Sequence, residues 1–196
     1  MPFFAPSAHG NEPAELTSFL EQQCAQLRTT VHGLTDEQVR ATPTASGLSL
    51  AGLLAHVAQV VHGWLSGVAV APRALAPADY VEINSRIGLD GILEAHEVPD
   101  MSVHDLLGVY DRAVDFIRDP GVQAVGLDTE VPVPPWFPAG FHADARWVWL
   151  HLSAEVARHV GHADIIRESI DGATSFDLND AVDVGTADVK SGVRAR

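Results

Sequence analysis

Four stretches of this 196-residue chain repeat apolar residues at steps of three and four, and no stretch of comparable length alternates residue by residue. Steps of three and four line one face of a helix, whereas a strand needs a period of two, so the chain is constrained to an all-α fold. The first stretch carries Leu16, Phe19, Leu20, Gln23, Leu27 and Val31, beginning near Glu12, with His32-Gly33 as its stop. The second follows Ser49, a good N-cap, with Leu50, Leu53, Leu54, Val57, Val60, Val61 and Trp64 in a broad stripe that also contains His56. The third follows Ser102 and Asp105, which have the form of a capping box. It carries Val103, Leu106, Leu107, Tyr110, Val114 and Ile117, and ends at Asp119-Pro120-Gly121. The fourth runs from about Asp144 to Ile170 with Val148, Leu152, Val156, His159, Ala163, Ile166 and Ile170 inward, and Asp171-Gly172 ends it.

The connections are uneven. Thr35 followed by Gln38 predicts a short capped helix over Asp36 to Ala41, cut off before Pro43. Residues 67–100 read as a long crossover in which only Tyr80 to Leu89 suggests helix. Residues 120–143 hold five prolines with Trp136, Phe137 and Phe141. A loop of that length is uncommon unless it covers something, which makes it a candidate lid or pocket wall. Four long helices with two long connections predict a four-helix bundle over residues 12–172, preceded by a loose arm (1–11) and followed by a flexible tail (173–196).

Composition narrows the function classes. Twelve basic and 26 acidic residues give a net charge of −14, which argues against nucleic acid as a partner, because phosphate binding needs a basic face. No apolar run is read as reaching the roughly 20 residues that cross a bilayer, and the first residues lack the basic and apolar regions of a signal peptide. A soluble cytoplasmic protein is the expectation. Leu16, Phe19 and Leu20 could pair two copies through an outer helix face, or could equally be core. The single Cys24 excludes an internal disulfide and reads as a small core residue. The ten histidines are the unusual count, and they point to imidazole and carboxylate chemistry.

The fourth helix holds His151, Glu155, His159 and His162 at separations of four, four and three, all along one face with apolar neighbours. Burying a carboxylate and imidazoles without partners is expensive, and a divalent ion would consume the charge and the lone pairs together. Glu155 and His159 at i and i+4 can share an ion from adjacent turns, with His56 as the third ligand. Two histidines and a carboxylate suit Zn²⁺, Ni²⁺, Fe²⁺ or Mn²⁺ and leave positions open. The same spacing also occurs in cores whose histidines bond to carbonyls. Arg158, Asp164, Arg167 and Glu168 read as a surface ion-pair set, and His151 as a metal neighbour or a core histidine.

Two segments carry a resemblance: GLTDEQVRATPTASGLSLAGLLAHVAQVVHGW at Gly33 to Trp64, and WVWLHLSAEVARHVGHADIIRESIDG at Trp147 to Gly172. Together they resemble the DinB-like metal-binding four-helix bundles, in the branch of mycothiol-dependent maleylpyruvate isomerase and mycothiol transferases, over roughly Asn11 to Gly172. The resemblance implies His56, Glu155 and His159 as metal ligands; many members have His where Glu155 stands, and the mycothiol branch has Glu. It also implies an ion, zinc first, that activates mycothiol as a thiol co-substrate for attack on an electrophilic small molecule, with His162 available to take the proton. His162 could alternatively be a fourth ligand or a hydrogen-bond partner of one. The isomerase carries a further C-terminal domain, so a stand-alone thiol S-transferase serving detoxification is the expectation. A non-catalytic metal-stabilised or stress-associated protein and a metal-dependent hydrolase are the alternatives.

Overall fold

The computed structural model describes residues 4–134 and 136–182. Its long helices are α1 (Glu12–Thr29), α3 (Leu50–Val70), α5 (Val103–Asp115) and α7 (Ala145–Asp171). Around the bundle the neighbours run α1, α5, α3, α7, so that α3 and α7 share a long face. Short α2 (Asp36–Arg40) bridges α1 to α3, and α4 (Pro77–Ile87) lies in the crossover to α5. A 3₁₀ turn (Phe116–Arg118), α6 (Pro120–Gln123) and an antiparallel ladder of β1 (Glu130–Val131) with β2 (Ala143–Asp144) lead into α7.

The caps at Thr35, Ser49 and Gly172 are those the sequence predicts, whereas α1 ends at Thr29, before the expected stop at His32-Gly33. Thr35 and Gln38 form a reciprocal capping box, and Ser49 accepts from the Gly52 amide at 3.1 Å. Asp144 accepts from Trp147 N at 2.7 Å, and Gly172 ends α7 at φ 81°, a left-handed turn that glycine takes without a Cβ penalty. The core is one cluster: Leu20 and Leu27 from α1, Leu53, Leu54 and Leu65 from α3, Leu106 and Ile117, and Leu152 and Ile166 from α7 are all buried. Fully burying such a side chain stabilises by roughly 1.5–3 kcal/mol.

Four expectations change. First, α3 is an apolar run of 21 residues with no Asp, Glu, Lys or Arg, long enough by composition to cross a bilayer. The stripe of large residues understates it, because Ala and Gly fill its other faces. Two-thirds of its most apolar window is buried within the bundle, as befits a helix surrounded by α5, α7 and α4. Second, Leu16, Phe19 and Leu20 do not form one outer face: Leu20 is buried, Leu16 packs on the core and Phe19 alone is exposed. Third, Arg167 is 5% exposed and belongs to no surface set. Its guanidinium donates to the carbonyls of Thr30 and His32 at 2.8 Å and makes two bonds to Asp171. It thereby satisfies orphan carbonyls just beyond the end of α1. Fourth, residues 175–182 are helical, with Leu178 buried and the Asn179 and Gln26 amides exchanging bonds of 2.9 and 3.0 Å. The rest of the expected tail, 183–196, lies outside the described residues. In the N-terminal arm, Pro6 and Ala8 bond to Ser18 and Glu15 of α1.

Candidate functional site

The shared face of α3 and α7 brings together the three residues that the sequence singles out. His56 sits in the second turn of α3, and Glu155 and His159 one turn apart on α7. One ligand atom from each lies within 4.8 Å of the others. His159 Nε2 is 3.1 Å from Glu155 Oε1, a hydrogen bond, and His56 Nε2 is 3.8 Å from the same oxygen, an ion-pair distance. The two imidazoles meet edge to face with centroids 4.8 Å apart. His159 is buried, and His56 and Glu155 are half-buried. The hydrogen bond from His159, followed by the nearby His56 imidazole, holds the Glu155 carboxyl far below the usual carboxylate range. A charged carboxylate facing two imidazole nitrogens is therefore the resting state of the cluster.

The donor chemistry fits a divalent ion. Donors about 2.0–2.2 Å from a shared tetrahedral ion stand about 3.3–3.6 Å apart, close to the spacings of 3.1 and 3.8 Å here. Both rings turn Nε2 toward Glu155, while Nδ1 of His56 and Nδ1 of His159 are buried with no hydrogen-bond partner among the described residues, so Nε2 is the nitrogen each ring offers to an ion. Nitrogen and carboxylate donors of this kind suit zinc and its first-row neighbours.

The other sequence candidates fall around the cluster. His162 is exposed, its ring centroid 5.8 Å from that of His159 and outside the three-donor set. His151 stacks on Trp147 with centroids 4.7 Å apart and presents its ring to the edge of Trp64, and burial lowers its pKa. Arg167 pairs with Asp171 rather than with Asp164 or Glu168. Cys24 is fully buried, and burial pushes its thiol up to about 12, so it is no nucleophile at neutral pH.

Beside His56 opens a pocket of about 350 Å³ that sequence reasoning identifies only in part. Gln59, Trp64, Tyr80, Asn84 and Trp136 line it together with His56. Trp136 comes from the proline-rich segment expected to be a pocket wall. Tyr80 and Asn84 come from α4, whose sequence gives only a weak helical signal. Gln59, one turn from His56 on α3, carries the geometric hint: its amide bonds both backbone groups of Leu93 and the side chain of Asn84. That network fixes the crossover against the site.

No curated protein is a significant match to the chain. The family model for mycothiol-S-transferase matches residues 15–172, from the first turn of α1 to the C-cap of α7, and that span contains His56, Glu155, His159 and His162. With most of its length inside that match, the chain belongs to the mycothiol-S-transferase family.

Proposed function

We propose that this chain is a cytoplasmic, metal-dependent thiol S-transferase that joins mycothiol to an electrophilic small molecule. The observation that carries the reading is the convergence of His56, Glu155 and His159 within 4.8 Å beside a pocket. His56 and His159 would hold the ion through Nε2 and Glu155 through a carboxylate oxygen, with zinc our assignment and nickel, iron or manganese its competitors. Bound there, the ion supplies Lewis acidity that lowers the pKa of an incoming thiol, so that thiolate is available at neutral pH.

The chain's own residues do the rest. Glu155 offsets one of the ion's two charges. α3 and α7, packed against each other, fix the three donors before substrate arrives. His162, exposed beside His159, is assigned as acceptor of the thiol proton, which it passes to water. The thiolate sulfur then forms a bond to the electrophilic carbon. In a substitution the leaving group departs with its electron pair, and in an addition across an activated double bond the neighbouring carbon takes a proton.

The test uses protein purified without an affinity tag. We expect close to one divalent ion per chain and conjugation of mycothiol to monochlorobimane well above the uncatalysed rate, with both lost in His159→Ala. Bound ion without conjugation across several electrophiles would overturn the enzymatic reading in favour of a metal-stabilised binding protein. Absence of ion would overturn the ligand assignment.

A further inference from the structure

The pocket beside His56 has walls that are mostly carbon. Its lining is dominated by apolar and aromatic side chains, Val60, Trp64, Tyr80, Ile92, Leu93 and Trp136. Tyr80 and Trp136 pair their rings at 4.9 Å and 59°. The two amide side chains in the wall are already engaged: Gln59 Oε1 accepts from both Leu93 N and Asn84, Gln59 Nε2 donates to Leu93 O, and Asn84 also donates to Gly91 O. They hold the crossover in place, with three of their four N–H donors and Gln59 Oε1 already engaged within the protein. Among the described residues no Lys or Arg lines the pocket, whereas Glu94 does, in a chain of net charge −14. An anionic ligand would lose hydration there and meet no Lys or Arg in the wall, beside the carboxylate of Glu94. A flat neutral ring would exchange water for aromatic faces. The volume, about 350 Å³, is at the small end for a ligand site, and His56 forms part of its wall.

Resting on the transferase reading above, we infer that this pocket is the seat of the electrophile and that it takes a neutral, planar, apolar molecule, held against Tyr80 and Trp136 with its reactive carbon toward His56.

Two measurements test this. The first compares acceleration over the uncatalysed mycothiol reaction for three electrophiles: monochlorobimane (flat and neutral), iodoacetamide (small and neutral) and iodoacetate (small and anionic). We expect monochlorobimane to be favoured over iodoacetate by at least about tenfold, and Tyr80→Ala and Trp136→Ala each to raise the monochlorobimane KM about tenfold, the scale of a lost aromatic contact with its buried area. The loss should fall more on KM than on kcat, and should be smaller for iodoacetamide, which covers less of either ring. The second is calorimetric titration of metal-free protein with unreactive 2-naphthol, where saturable binding should weaken about tenfold in either variant and persist in His159→Ala. Equal acceleration of iodoacetate and monochlorobimane, or 2-naphthol binding unaffected by either variant, would overturn the pocket assignment and leave the transferase reading standing. Failure to conjugate any of the three would overturn the transferase reading and the assignment with it.

Discussion

Arg167 offers a quantitative test of the packing that supports α7. The residue is 5% exposed and makes four hydrogen bonds, two to backbone carbonyls just past α1 and two to Asp171. Arg167→Met keeps most of the volume and removes every one of those bonds. Breaking a buried ion pair by deleting one partner costs about 3–5 kcal/mol. Asp171 is one-third exposed and can rehydrate, which places the expected loss near the lower limit, about 3 kcal/mol. For a chain of this size each kcal/mol moves Tm by about 2–4 °C, so the midpoint should fall by about 6–12 °C. Arg167→Lys should recover only part of the loss, since an ammonium cannot serve a carboxylate fork and two carbonyls at once. Scanning calorimetry of the metal-free protein at neutral pH reads this directly. A fall equivalent to less than about 0.5 kcal/mol, the scale of an exposed pair, would refute the clamp and restore Arg167 to the surface.

Two other outcomes follow from buried groups. Burial, aided by the charge of Arg86, lowers the His62 pKa from 6.5 to about 4. The unfolded chain therefore binds more protons between pH 6.5 and 4, and stability falls as pH drops through that window. Over it wild type should lose about 3 kcal/mol relative to His62→Leu, measured by urea denaturation at pH 7.5 and 4, and a difference independent of pH would contradict the assignment. At Gly52 an added Cβ would sit 2.7 Å from the Ala95 carbonyl, in the loop that brings Leu93 and Glu94 to the pocket. Gly52→Ala should cost about 1–3 kcal/mol in urea denaturation and weaken 2-naphthol binding; unchanged stability would show that the loop gives way freely.

Local chemistry made much of this architecture legible. Thr35 and Ser49 announce helix starts because their side-chain oxygens bond amides three residues on. Glu155 and His159 are readable for the same reason, being one turn apart on one helix. His56 is an imidazole within an apolar stripe, and its meeting with α7 depends on which helices are neighbours, information the resemblance supplied. The misreadings share a cause. Arg167 has the spacing of a surface charge, yet its partners lie some 135 residues away in sequence, at Thr30 and His32. Asn179 docks on Gln26 across a separation of 153 residues, which no local pattern announces. The pocket draws on α3, on α4 and on the proline-rich connection to α7, so its apolar walls come into being only when the crossovers close over α3.

His56, Glu155 and His159 are assigned to one ion site. Its most direct measurement is zinc titration of the metal-free protein by calorimetry at neutral pH, beside His56→Ala, Glu155→Gln and His159→Ala. We expect one ion per wild-type chain, a higher Tm on binding, and a loss of affinity of at least about tenfold for each variant, with the variants still folded when metal-free. Zinc binding of equal strength in wild type and all three variants would contradict it.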